Sequence, residues 1–144
     1  MAFFICPNCK RRSIDRDGYE GFSTQAVLCR ECGFGFLFEL LEDYYPAPET
    51  GLVVCDRNAR VLASGRGVFE LTGYRDRDLL GREVVGALGL SDTSAMDVVR
   101  EWGVRKLGQE LEIRTRAGST RRVTVDFFPA YDEDGGLLLA LTPR

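Results

Sequence analysis

The sequence predicts an α+β protein in two parts: a small metal-built β module, then a larger domain in which strand pairs flank a run of helices. Three observations lead there. Two Cys-x-x-Cys pairs, Cys6-Pro7-Asn8-Cys9 and Cys29-Arg30-Glu31-Cys32, stand 19 residues apart near the N-terminus. Two prolines and a glycine in Asp43-Tyr44-Tyr45-Pro46-Ala47-Pro48-Glu49-Thr50-Gly51 interrupt the hydrophobic pattern. Beyond that segment, β-rich runs give way to helical spacing and then return. The expected organisation is a metal module over residues 1–42, a linker over 43–50 and a second domain over 51–144.

Each cysteine pair can turn back on itself so that both sulfurs meet one ion, and two such turns complete a tetrahedral shell. The predicted ligands are Cys6, Cys9, Cys29 and Cys32, and Zn²⁺ is the favoured metal. An iron–sulfur cluster takes the same four thiolates and stays open as the alternative. A disulfide framework would need an oxidising compartment, and Met1-Ala2-Phe3-Phe4-Ile5 is too short for a signal peptide and lacks its charged start. A redox pair would be a single Cys-x-x-Cys opening a helix, whereas here two pairs flank a polar segment. Four thiolates leave no open position for a water, so the expected role is structural. A module of about 45 residues buries too little apolar surface to offset chain entropy, and structural zinc supplies on the order of 10 kcal/mol or more.

Of the 144 residues, 44% are hydrophobic and 28% charged, which is ordinary globular composition and argues against a disordered or fibrous chain. The apolar stretch Gly33-Phe34-Gly35-Phe36-Leu37-Phe38-Glu39-Leu40-Leu41 falls well short of the roughly 20 residues a membrane span needs and includes Glu39, so a soluble, cytoplasmic protein is expected, with no membrane partner. Residues 1–48 hold five Lys or Arg against seven Asp or Glu, and residues 49–144 hold 14 against 15; neither part is basic. Lys10, Arg11 and Arg12, with Arg16 and Arg30, could meet phosphates, yet the surrounding acids favour a solvated face over nucleic-acid binding.

In the second domain, Leu52-Val53-Val54-Cys55, the turn residues Asp56–Arg60 and Val61-Leu62-Ala63 read as a hairpin. Residues 66–74 and 76–80 read as short helices anchored by Val68, Phe69, Leu71, Leu79 and Leu80 and punctuated by Gly73 and Gly81. The longest helix is expected after Ser91-Asp92-Thr93-Ser94, with Met96, Val99, Trp102 and Leu107 at near-helical spacing and Gly103 as a weak point. Leu111 and Ile113, a break at Ala117-Gly118, and Val123, Val125 and Phe127 give a second hairpin. After the acidic turn Asp132-Glu133-Asp134-Gly135-Gly136, the unbroken run Leu137-Leu138-Leu139-Ala140-Leu141 reads as a buried final strand.

This order resembles the PAS domain over residues 51–142. The resemblance rests on Gly51-Leu52-Val53-Val54-Cys55-Asp56, on Phe69-Glu70-Leu71-Thr72-Gly73-Tyr74, on Leu79-Leu80-Gly81-Arg82 and on the acidic-Gly turn before the last strand. The first part, with Cys-Pro-Asn-Cys-Lys and Cys-Arg-Glu-Cys-Gly-Phe as knuckles, resembles a zinc ribbon. The fold the two resemblances imply is a small zinc-ribbon β module followed by a PAS-like five-stranded antiparallel sheet with helices on one face.

PAS resemblance implies a small ligand in the cradle, or protein partners and homodimers formed through the sheet and flanking helices. A ligand cavity would be lined by Phe69, Leu80, Trp102, Ile113 and Val125, each of which equally suits plain core. His-ligated haem is excluded because the chain has no histidine, while Cys or Tyr ligation stays open. The Asn-Cys-Arg-type motif of flavin photoreceptors is absent, and Cys55, on the first strand, does not replace its cysteine; a flavin is not expected. Two departures from the family stand out. The asparagine often found before the first short helix aligns near Gly65, so its bracing hydrogen bond is expected to be missing. The chain also ends at Leu141-Thr142-Pro143-Arg144 without the usual Asp-x-Thr-like ending or helical linker, so no output domain in cis is expected.

No enzymatic activity is expected. Without histidine, the Ser-His-Asp and Cys-His arrangements cannot form. The cluster Asp132, Glu133 and Asp134 reads as a solvated turn, Cys55 as core, and Gly65-Arg66-Gly67 lacks the residues of a phosphate loop. Phe34, Phe36, Phe38, Tyr44 and Tyr45 read as packing for the ribbon or the domain junction, with a partner surface as the alternative. The expected function is that of a non-enzymatic, cytoplasmic signalling protein, a zinc-ribbon and PAS sensor or adaptor. The alternative is a transcription-associated factor whose ribbon contacts nucleic acid or polymerase.

Overall fold

The computed structural model describes residues 3–10, 12–13, 38–40, 44, 46–129 and 136–144. The second cysteine pair, the acidic turn, Tyr45, Phe34 and Phe36, and Arg11, Arg16 and Arg30 lie outside the described residues.

Among the described residues, two sheets are present. The smaller has β1 (Phe3–Ile5) at its centre, antiparallel to β2 (Arg12–Ser13) and to β3 (Phe38–Leu40), with Ile5 opposite both Arg12 and Phe38. The larger contains β4 (Gly51–Cys55), β5 (Val61–Ser64), β6 (Lys106–Arg114), β7 (Thr120–Pro129) and β8 (Leu137–Pro143) in the spatial order β5-β4-β8-β7-β6, with every pair antiparallel. The last strand therefore lies at the centre, between two hairpins formed earlier in the chain.

Local chemistry sets the boundaries. Asp56 turns the β4–β5 hairpin, its Oδ1 accepting the amides of Asn58 at 2.8 Å and Arg60 at 3.0 Å, as an aspartate does in an Asx turn. Helix α1 (Val68–Thr72) opens with the Gly67 amide donating to Glu70 Oε2 at 3.1 Å and ends at Gly73. In α2 (Asp76–Leu79), Asp78 Oδ2 accepts the Arg75 amide, while Asp76 Oδ1 reaches back to the amide and hydroxyl of Ser64 on β5. Helix α3 (Val84–Leu88) was not anticipated, because its β-branched and glycine residues favour helix weakly. Burial of Val84, Ala87 and Leu88 and a 2.8 Å bond from the Val84 amide to the Ala59 carbonyl hold it instead. Helix α4 (Ser94–Trp102) stops at Gly103 in left-handed conformation, and Leu107, expected on that helix, belongs to β6.

The larger sheet is apolar on both faces. Its inner face contributes Val53, Cys55, Ile113, Val123, Val125, Phe127, Leu137, Leu139 and Leu141 to a core completed by Leu71, Leu79, Leu88 and Val99 of the helices. Its outer face contributes Leu52, Val54, Ala63, Phe128, Leu138 and Ala140 to a second cluster, closed by Ile5 of β1 and by Tyr44. Antiparallel sheets commonly leave one face to water and alternate accordingly. The unbroken apolar run of β8 has its explanation here, since helices cover one side and the N-terminal segment the other. Among the described residues, no helix is long and apolar enough to cross a membrane.

A candidate metal centre docked on the sheet

The first cysteine pair occupies the turn that leaves β1. Cys6 is fully buried, and the Cys9 amide is directed at its sulfur at 3.5 Å. The Lys10 amide donates to the Cys6 carbonyl at 2.8 Å, with Lys10 in left-handed conformation at φ 63°. A backbone N–H aimed at a cysteine sulfur can serve a metal-bound sulfur as a hydrogen-bond donor. The described half of the cysteine set thus fits a metal ligand pair. Among the described residues no group of three or more Cys, Asp or Glu side chains converges, and the partners Cys29 and Cys32 lie outside them.

The same turn is fastened to the larger domain at residues 65–67, the loop between β5 and α1. Asn8 Oδ1 accepts the Arg66 amide at 3.1 Å, and Lys10 Nζ donates to the carbonyls of Pro48 at 3.1 Å and Arg66 at 3.2 Å. A Cβ on Gly65 would overlap the carbonyl oxygen of Pro7 and lie 3.0 Å from Asn8 Cα. Gly65 is outside the left-handed region, so close approach of the two backbones, rather than turn geometry, is what calls for glycine. The position expected to lack an asparagine is thus a contact point between the modules.

A cleft of about 690 Å³ opens at this junction, with Cys9, Lys10, Glu49, Arg66, Glu70 and Arg121 in its lining. Much of its polar lining holds the fold together. Lys10 spans the two carbonyls, Glu70 caps α1, and Arg121 Nη1 donates to the Leu71 carbonyl at 3.3 Å. Burial lowers the pKa of Lys10, opposed chiefly by the Glu70 carboxylate. Of the basic run, Lys10 is tied to backbone carbonyls at the junction.

The five residues proposed to line a cradle cavity separate into two groups. Ile113 and Val125 are in the inner core, as expected. Phe69, Leu80 and Trp102 are on the surface, 45%, 47% and 70% exposed, which corrects their assignment to the interior. In α1 the buried positions are Val68, Leu71 and Thr72, and Phe69 is a quarter turn off that stripe with the Arg75 guanidinium 4.6 Å from its ring centroid. Leu79 takes the core position that ends α2, and Leu80 leaves the helix with extended backbone. Trp102 closes α4 after the buried Met96 and Val99, and with Val104 and Leu107 it forms an exposed apolar group at the α4–β6 connection.

Cys55 is in the inner core, 2% exposed, and burial followed by the neighbouring Asp56 charge pushes its thiol up to about 12. That environment makes it inert packing, as expected. Tyr44 packs at the junction, as expected, whereas sequence reasoning missed the structural part played by Ile5. The one hint was the unbroken apolar character of β8, which demands a cover on both faces.

No family model and no curated protein matches the chain. Solved structures do match the larger domain. The PAS domain of a protein from Colwellia psychrerythraea is 18% identical with a TM-score of 0.57, the match covering 67% of this chain and 86% of that one. The PAS domain of nitrogen regulation protein NR(II) from Vibrio parahaemolyticus is 11% identical with a TM-score of 0.58, covering 67% and 91%. The light-state dimer of the fungal blue-light photoreceptor Vivid is 14% identical with a TM-score of 0.56, covering 70% and 81%. The larger domain has the PAS fold, the five-stranded antiparallel sheet with helices that the sequence led us to expect.

Proposed function

We propose that this chain is a non-enzymatic, cytoplasmic regulatory protein, a PAS sensor or adaptor acting through protein contacts, with a structural Zn²⁺ held by Cys6, Cys9, Cys29 and Cys32. The observation that carries the reading is the docking of the Cys6–Lys10 turn onto the loop before α1, which joins a turn carrying two of the proposed thiolate ligands to a PAS fold. Zinc, when bound, neutralises the four thiolates and closes the N-terminal module on itself. Sensor function is supported by the company of the fold: the matched structures include the regulator NR(II) and a photoreceptor dimer. A protein partner is supported by the exposed Trp102, with Val104 and Leu107 exposed close by in the chain, since tryptophan is among the usual anchors of an interface. Lys10, tied to two backbone carbonyls, is withdrawn from the basic run, which favours protein contact over nucleic acid.

Native mass spectrometry of the protein purified from its own source tests the reading. One zinc together with a small molecule or a stoichiometric protein is the expected result. A metal-free monomer that turns over a substrate would overturn it.

A further inference from the structure

This inference rests on the reading of the four cysteines as one metal site and concerns what that site does to the PAS sheet. Asn8 and Lys10, each adjacent in sequence to Cys9, bond the N-terminal turn to Arg66 of the 65–67 loop, and Lys10 also to the Pro48 carbonyl. Ile5, immediately before Cys6, packs on the outer face of the larger sheet. The patch of Leu52, Val54, Ala63, Phe128, Leu138 and Ala140 is therefore closed by Tyr44 and by Ile5, the residue directly before the proposed ligand Cys6. Gly65 admits that segment, since any larger residue would strike the Pro7 carbonyl.

We infer that the Cys6–Lys10 turn is a metal-dependent latch. With metal bound, the turn is held in the shape that fits against Gly65 and keeps Ile5 over the sheet. When the metal leaves, the turn loses that shape, the Asn8 and Lys10 bonds break, and the apolar outer face is opened to water. Metal loss is thereby an input that the PAS domain registers across its sheet, rather than an event confined to the N-terminal module.

The Arg66 amide reports the state of the latch, because its acceptor is Asn8 Oδ1 of the other module. Hydrogen exchange is followed on the full chain under reducing conditions, metal-loaded and after chelation, with metal content measured in both. Chelation is expected to speed exchange at Arg66 by about tenfold or more, the scale of a lost hydrogen bond to a backbone amide. The amides of Val53 and Leu139, in the central strands, are expected to stay protected, which shows that the PAS fold persists. Gly65→Ala is expected to open the latch with the metal still in place, and Asn8→Ala to do so at Arg66 without a steric change. Unaltered exchange at Arg66 in chelated protein and in both variants, with metal present in the loaded sample, would overturn the latch and leave the metal site standing. A loaded sample that contains no metal would overturn the metal site, and the metal dependence of the latch with it.

Discussion

Tyr44 and Asp126, 82 positions apart, share a hydrogen bond of 2.7 Å from the tyrosine hydroxyl to Oδ2 of the carboxylate. The other oxygen, Oδ1, accepts the Gly108 amide at 2.7 Å. A single carboxylate thus holds the segment between the modules and the irregular start of β6 at once. Tyr44 also meets Phe128 edge to face, with ring centroids 4.6 Å apart, so its ring seals the outer core while its hydroxyl reaches the polar half of that face.

Replacing Tyr44 by Phe keeps the ring and removes the hydroxyl, leaving Asp126 Oδ2 short of a donor. A loss of about 1–2 kcal/mol is expected from denaturant unfolding. The alkaline limb of the stability profile carries a second signature. Burial, then the hydrogen bond and charge of Asp126, raise the Tyr44 pKa above its ordinary value of 10.0. A raised folded value means that this contribution is complete below pH about 10 and is lost as pH rises beyond it. Unfolding free energy measured from pH 8 upward should fall less steeply in Tyr44→Phe than in the parent, and equal slopes would refute the assignment.

Phe128 is the largest fully buried side chain of the outer cluster, 1% exposed. Phe128→Ala should destabilise the chain by about 3–5 kcal/mol, the cost of deleting a buried aromatic ring. A smaller change, below about 1 kcal/mol in urea titration, would mean that Ile5 and Tyr44 do not cover this face in solution.

Cys55 should ignore thiol reagents while the domain is folded, since its thiol is buried and pushed up to about 12. Timed labelling with a chromogenic disulfide should show it reacting only at the rate of unfolding. After chelation the four remaining cysteines are expected to label quickly, and fast labelling of Cys55 in native protein would contradict its place in the core.

Trp102 offers the opposite test. With 70% of its surface in water, Trp102→Ser should leave the melting temperature nearly unchanged, within about 0.5 kcal/mol of stability. Captured partner protein should diminish with the same substitution, and a stability loss without any change in capture would assign the indole to the fold instead.

The sequence was most legible where side chains obey one local rule. The alternation of Val123, Val125 and Phe127 marked an inward face, and Asp56 marked a turn, because period and turn chemistry depend on neighbours only. Residues whose environment is set by distant segments were harder to read. Phe69, Leu80 and Trp102 look like core by type, yet each sits one step beyond a stripe already filled by Leu71, Leu79 or Val99. Helix α3 was missed because tertiary burial overrides its weak propensity. The cysteine spacing pointed to a metal, but nothing local to Gly65 announced that the Cys6 turn would rest on it.

The central place of β8 has a consequence for biosynthesis. As the last of the described strands to leave the ribosome, it is also the one that bridges the β4–β5 and β6–β7 hairpins. Until it emerges, neither hairpin has its partner and the outer patch lacks Leu138 and Ala140, so the N-terminal turn has only an incomplete surface to settle on. Assembly of the junction therefore waits for β8, and until then the nascent chain must keep an apolar, unpaired sheet edge from other chains.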